Sequence, residues 1–291
     1  MMPRAFGAVL ALAVIPVVPS QADCNSEDCK AGIVDIRLAN EAVTRRETHA
    51  AFFSFNLNHY RFERDLFDAS EADYAAVRAY LGAFAGNYLR FPGGLLSNTF
   101  DWEGSTGPDA TRRPQASGQE RTPEVVNFGP DEYFDLLQST GSMPWYVLNL
   151  SGWDEKRSPV ELPIEQIADS NSNLVRHLQE RFPAKPLQFL QLGNELDRSI
   201  YQWPTAKYVE RSRAVMDAVG SVDRDIRFVA FLRDFDWKYK GKSDPRAGTK
   251  SKYEDFITDT LQGLPDVSDY SLHFYYDDPG LDRRHKAIGI R

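Results

Sequence analysis

Among the 291 residues, a few stretches set carboxyl, amide, guanidinium and imidazole groups where a reaction would need them. Gly193-Asn194-Glu195 follows the apolar run Leu187 to Leu192 and opens a polar loop. A strand ending this way delivers a carboxylic acid to the rim of a sheet. Partial desolvation and a nearby second carboxylate there raise a Glu toward the range in which it protonates a leaving oxygen. The dipeptide alone says little, since Asn40-Glu41 occurs in the same chain without a strand before it. Leu89-Arg90-Phe91 puts a guanidinium on a second apolar run, which stops at Pro92-Gly93-Gly94. His273 and Tyr275 alternate on a late aromatic run. Each group also has a plainer use. Glu195 suits a loop salt bridge, Arg90 a structural ion pair, and His273 and Tyr275 satisfied core positions.

Other chemistries lack their residues. There is no G-x-S-x-G elbow, no H-E-x-x-H helix and no glycine-rich phosphate loop after any strand-like run. The five His show no paired ligand spacing, and His177 reads as a surface residue in a helix, so no metal and no cofactor is expected. Composition is that of an ordinary globular chain, 42% hydrophobic and 26% charged. With 34 Lys plus Arg against 42 Asp plus Glu, the formal charge is −8 and no basic run stands out. That balance argues against a nucleic-acid partner.

The N-terminus reads as an export signal. Arg4 precedes the apolar stretch Ala5 to Val18, and Ser20-Gln21-Ala22 offers a cleavage site after Ala22. A short membrane anchor is the alternative, although the stretch is short for a bilayer. Asp23 before Cys24 does not suit lipid attachment. The mature chain is expected outside the cytoplasm, periplasmic or extracellular, with no membrane segment. Cys24 and Cys29 either close a small loop there or stay as free thiols.

The positioning elements alternate. Strand-like runs fall at 51–58, 87–91, 144–150, 187–192, 226–232 and 269–276, and helical spacing at 70–84, 131–139, 164–181, 205–219 and 253–261. A polar loop rich in Gly, Pro, Thr and Arg is expected over about 95–128. Sustained alternation predicts a parallel sheet with outer helices. Polar and aromatic residues gathered at strand C-terminal ends favour a (β/α)₈ TIM-type barrel, here incomplete at about six βα units. The expected organisation is a signal peptide (1–22), an N-terminal segment (23–48) holding an orphan strand at 33–38, and a partial catalytic barrel (49–291).

Leu89-Arg90-Phe91-Pro92-Gly93-Gly94, followed by Asn98, Phe100, Trp102 and Gly107-Pro108, resembles the second-strand motif of α-L-arabinofuranosidases. Leu190-Gln191-Leu192-Gly193-Asn194-Glu195 resembles the fourth-strand motif of those enzymes and of heparanase-like β-glucuronidases. His273-Phe274-Tyr275 is similar to the His-x-Tyr of the same clan of retaining barrel glycoside hydrolases. The likeness runs from about residue 33 to 280. It implies that Glu195 is the general acid/base and that Asn194 holds the sugar hydroxyl next to the reacting carbon. Arg90 would lie beneath the nucleophile, while His273 and Tyr275 would line the pocket. Trp102, with Trp145, Trp153 and Trp203, would stack on sugar rings, although large aromatics fill cores at least as readily.

The departures matter equally. The nucleophile of this clan stands at the end of strand seven, which at the observed spacing falls beyond Arg291. Glu103, Asp277 and Asp278 are available carboxylates with no context that marks them as replacements. The β-sandwich that usually follows the barrel is missing, which leaves the 33–38 strand an orphan. Asn56 and Asn58 stand where arabinofuranosidases tend to place a Glu. The resulting expectation is a C-terminally truncated, arabinofuranosidase-like retaining glycoside hydrolase with a carbohydrate substrate, inactive or nearly so as given. The alternatives are a heparanase-like β-glucuronidase or β-xylosidase, a non-catalytic carbohydrate-binding protein, and a polysaccharide lyase or esterase.

Overall fold

The computed structural model describes residues 54–57, 72–115, 123–153, 160–184, 187–197, 201, 203–232 and 250–273. All of them belong to the unit Ala50–Arg291. The export signal, Cys24, Cys29, the 33–38 strand, Asn58, Tyr275, Asp277 and Asp278 lie outside these residues.

The strand-helix alternation read from the sequence is present. β1 (Phe55–Asn56) is followed by α1 (Ala72–Gly82), β2 (Tyr88–Phe91), β3 (Pro114–Gln115), β4 (Glu124–Val125) and α2 (Pro130–Thr140). Then come β5 (Met143–Leu148), α3 (Ile164–Arg181), β6 (Phe189–Leu192), α4 (Thr205–Gly220), β7 (Arg227–Leu232), α5 (Lys250–Gly263) and β8 (Asp269–Leu272). Six strands form one sheet in the order β1-β2-β5-β6-β7-β8, with every pairing parallel. This is the incomplete (β/α)₈ architecture expected, six strands where a closed barrel has eight.

Register partners in parallel strands project to the same side, and neighbours along a strand to opposite sides. Asn56, Arg90, Trp145, Phe189 and Arg227 are successive register partners, so they form one row on one face of the sheet. Leu89, Phe91, Tyr146, Leu148, Leu190 and Leu192 alternate with that row, and each is at most 1% exposed. These side chains share one hydrophobic cluster with Tyr133 and Phe134 of α2, Leu174, Val175 and Leu178 of α3, and Tyr208, Val215 and Val219 of α4. In α3, the buried positions Ile167, Asn171, Leu174, Val175 and Leu178 follow helical spacing, which turns one stripe to the sheet. The hydrophobic core therefore lies between sheet and helices, and the polar row faces the other way.

The segment expected to be a polar loop has structure of its own. It contains 3₁₀ turns at Leu95–Thr99, Glu103–Ser105 and Asp109–Thr111. β3 and β4 then pair antiparallel. Asp101, fully buried, organises this segment. Its carboxylate accepts from Gly104 N and the Arg113 guanidinium. Its backbone carbonyl accepts from Ser105 Oγ and Gln115 Nε2. Internal polar bonds, rather than an apolar pattern, order this excursion, which is why periodicity did not reveal it.

Candidate active site

Each strand of a parallel barrel offers its C-terminal end to one rim, and the loops there hold the reactive groups. β6 ends at Leu192, and the chain turns sharply at Gly193 (φ 70°). The positive φ favours glycine, and a Cβ at position 193 would also lie 2.6 Å from Leu196 Cδ1 and push that side chain aside. Asn194 and Glu195 follow, buried to 2% and 7% exposure. Glu195 has a φ of 47°, and it is the one non-glycine residue with positive φ among the described residues.

Two strands away along the sheet, β8 ends at Leu272 and presents His273 at the same rim. His273 Nδ1 lies 2.7 Å from Glu195 Oε1. An ionised Glu195 accepts from Nδ1–H, and a protonated one donates to a bare Nδ1, so the contact orients the carboxyl in either state. The side chains are 21% and 10% exposed, so the pair is open to a ligand yet largely shielded from water.

Below this pair runs an amide network centred on Arg90. Its Nε donates to Gln191 Oε1 at 2.8 Å, Nη1 to Asn56 Oδ1 at 2.6 Å and Nη2 to Asn194 Oδ1 at 2.7 Å. Trp145 Nε1 also donates to Gln191 Oε1, at 3.2 Å. Gln191 Nε2 turns back to the Gly193 carbonyl at 2.8 Å. The guanidinium thus ties β1, β2 and β6 together and fixes the Asn194 amide by its oxygen. A planar fork with several donors suits this task.

Of the residues singled out in the sequence, Glu195, Asn194, Arg90 and His273 therefore come together. Tyr275 lies outside the described residues. Trp102 takes no part in the bonded group around Glu195. Its indole Nε1 donates to Ser170 O and Oγ on α3, at 3.1 and 3.2 Å, and its ring lies against His177. Trp203, 3% exposed, donates to Glu161 and packs under Lys207 and Arg211. Trp145 is bonded into the Arg90 network through Gln191. Glu103 is exposed and faces Arg113 at 3.8 Å. His177, read as a surface residue, is instead partly buried against Asp131, at 3.1 Å.

Four participants were not foreseen as such: Asn56, Gln191, Trp145 as a hydrogen-bond donor, and Asn98. Asn98 is fully buried and holds both backbone groups of Asn194. A partly buried Arg on a strand needs acceptors at neighbouring strand positions of matching parity, a signal that points to Asn56 and Gln191. Among the described residues, no group of three or more His, Cys, Asp or Glu could hold a metal ion, and no helix is long and apolar enough to cross a membrane.

No protein-family model matches the chain. An intracellular exo-α-(1→5)-L-arabinofuranosidase of Halalkalibacterium halodurans is 27% identical over 193 residues, covering 65% of this chain and 36% of that protein. A solved family 51 α-L-arabinofuranosidase from Bifidobacterium longum superposes with a TM-score of 0.58 at 17% identity, over 82% of this chain and 46% of its own. The arabinofuranosidase of Xanthomonas axonopodis pv. citri gives 0.57 at 17% identity, over 78% and 45%. The chain thus spans about a third of the length of its curated relative and just under half of those two structures. These relatives are glycosidases, and the resemblance read from the Arg-Phe-Pro-Gly-Gly and Gly-Asn-Glu stretches is borne out in sequence and in fold.

Proposed function

We propose that this chain carries the acid/base side of an arabinofuranosidase-like, retaining glycoside hydrolase site that acts on oligosaccharide or polysaccharide. One observation carries the reading: Glu195 stands at the C-terminal rim of a parallel barrel sheet, 7% exposed and bonded to His273. In this reading Glu195 gives its proton to the glycosidic oxygen as the bond to the anomeric carbon breaks. As a carboxylate it then takes a proton from the water that releases the sugar. Asn194, gripped through Oδ1 by Arg90, has its Nδ2 hydrogens to offer a sugar hydroxyl. The nucleophilic carboxylate, about 5–5.5 Å from the acid in retaining enzymes, comes from outside the six strands described. Where that carboxylate is lacking, the Glu195 side of the site binds saccharide and turns it over very slowly. The apolar Ala5 to Val18 stretch and the Ala22 site support export to the periplasm or medium.

The test pairs binding with rescue. Calorimetry with arabinofuranosyl, xylosyl and glucuronyl oligosaccharides is expected to show binding, with the arabinofuranosyl ligand tightest. Tighter binding of another sugar would reassign the substrate to a xyloside or glucuronide. Nitrophenyl arabinofuranoside is expected to be stable until azide is added. Azide then attacks the anomeric carbon, and the phenolic oxygen leaves with the Glu195 proton. Glu195→Gln should suppress that reaction most where the leaving group is poor. Turnover without azide that is lost in Glu195→Gln would keep the acid and refute the missing nucleophile. Failure to bind any of the three sugars would refute the glycosidase reading.

A further inference from the structure

Glu195 depends on a backbone conformation that its own residue type does not favour. Its φ of 47° lies in the left-handed region, which side-chain-bearing residues other than Asn and Asp rarely adopt. Something outside the turn must hold it there. The residue immediately before it, Asn194, has both backbone polar groups engaged by a single side chain. Asn98 Nδ2 donates to the Asn194 carbonyl at 2.6 Å, and the Asn194 N–H donates to Asn98 Oδ1 at 2.9 Å. This reproduces the two-bond pattern by which one strand holds another, at the point where β6 has already ended.

Asn98 is itself fixed. It is fully buried on the 3₁₀ turn Leu95–Thr99, and its backbone carbonyl accepts from Gly152 N at 3.2 Å, which anchors the turn to the segment after β5. The Tyr201 hydroxyl interacts with the side chains of Thr99 and Asn98. The peptide linking Asn194 to Glu195 is thereby held from a different segment, 96 residues earlier in the chain. The carboxyl at its end meets His273 at 2.7 Å.

We infer that Asn98 is a positioning residue for Glu195. By clamping both backbone groups of Asn194, it fixes the left-handed turn that aims the Glu195 carboxyl at His273 and the open rim. Its functional weight rests on the reading of Glu195 as the proton donor, but the aiming can be measured without any turnover. Asn is suited to the task because one side chain supplies a donor and an acceptor side by side. Ser offers a single short hydroxyl, and Asp offers acceptors alone.

The His273 ring reports the contact. Where the ring is neutral and faces an ionised Glu195, its proton lies on Nδ1. In the full chain labelled with ¹⁵N-histidine, the ring nitrogens of His273, assigned from a His273→Gln sample, are expected to show that tautomer. Asn98→Ala should lower the Nδ1–H fraction by about twofold or more, with far-UV circular dichroism and the remaining histidine signals unchanged. Asn98→Asp keeps the volume and one of the two bonds and should give an intermediate loss, so it serves if the alanine variant does not fold. A merely structural role would lower the melting temperature and leave the tautomer of the folded protein as it was. Unaltered His273 nitrogens in both variants would overturn the inference. If the tautomer shifts as expected and no saccharide binds, the clamp stands and the glycosidase reading fails. If saccharide binds and the tautomer is unmoved, the reverse holds.

Discussion

Arg90 bonds to three amide oxygens on two other chain segments, at 2.6 to 2.8 Å. Lysine has the charge but not the fork, and its ammonium cannot reach Gln191, Asn56 and Asn194 together. Arg90→Lys is therefore expected to destabilise the chain by about 2–3 kcal/mol in urea denaturation, because buried acceptors lose a charged donor. Gln191→Leu removes the oxygen shared by Arg90 and Trp145 and should cost about 1–3 kcal/mol. Variants that unfold at the wild-type midpoint would show that the network is incidental to stability. This is also where the sequence was hardest to read. Arg90, Asn194 and Glu195 could be found because each stands in a recognisable strand or strand-end context. Gln191 sits inside an apolar run that reads as uniformly buried, whereas one face of a barrel strand points to a polar interior. Asn98 lies in a segment without periodicity, and only the folded contact shows what it holds. Trp102 shows the opposite difficulty, since proximity to a motif in sequence did not bring its ring to Glu195.

Two tyrosines do the same work on two different helices. Tyr133 of α2 donates its hydroxyl to Leu89 O on β2 at 2.6 Å and accepts from Trp145 N on β5 at 3.0 Å. Tyr208 of α4 donates to Leu192 O on β6 and accepts from Phe231 N on β7, each at 3.0 Å. In each case the hydroxyl sits between a strand N–H and a carbonyl of the neighbouring strand, Trp145 N–H and Leu89 O in the first, so it relays a bond the strands would otherwise make directly. Burial pushes both phenols well above the ordinary tyrosine range, so they stay protonated and keep donating. Tyr133→Phe and Tyr208→Phe should each cost about 1–3 kcal/mol, measured by chemical denaturation, despite the near-identical shape. A loss below about 0.5 kcal/mol would mean that the strands close on each other without the hydroxyl. The helices and strands themselves were legible, because their apolar stripes repeat with the periods of helix and sheet. These bridges were not, since tyrosine in a helix stripe looks like any other core residue.

A helix-to-helix tie sets a pH limit. Asp131, in the first turn of α2, meets His177 of α3 at 3.1 Å. The bond from His177 comes first among the causes that hold its carboxyl below the ordinary range, joined by the Gly107 N–H and the charges of His177 and Arg181 and opposed by burial. A depressed folded value means that this stabilisation is complete above the unfolded range, near pH 4, and fades as pH falls through the folded value. Urea midpoints followed downward from about pH 6 should therefore fall more steeply for the wild type than for Asp131→Asn. Parallel curves would show that Asp131 titrates alike in both states.

At the scale of the molecule, six of the described strands form one sheet, and its two ends carry different risks. β1 is two residues long and offers little edge. β8 is longer, and among the described residues β7 is its one strand neighbour. Tyr270 and Leu272 on β8 pair in register with Ala230 and Leu232, which are at most 9% exposed, yet they are themselves 37% and 38% exposed. They therefore lie on the side that helices cover elsewhere in the sheet, beside a strand edge that pairs with no second strand among the described residues. Apolar side chains next to an open ladder are a template for another chain, so self-association should begin here. Threonine keeps the β-preference of a strand while removing most of the apolar surface. Tyr270→Thr/Leu272→Thr is thus expected to leave far-UV circular dichroism unchanged and to lower concentration-dependent light scattering several-fold. Association that continues undiminished in the double variant would locate the adhesive surface away from β8.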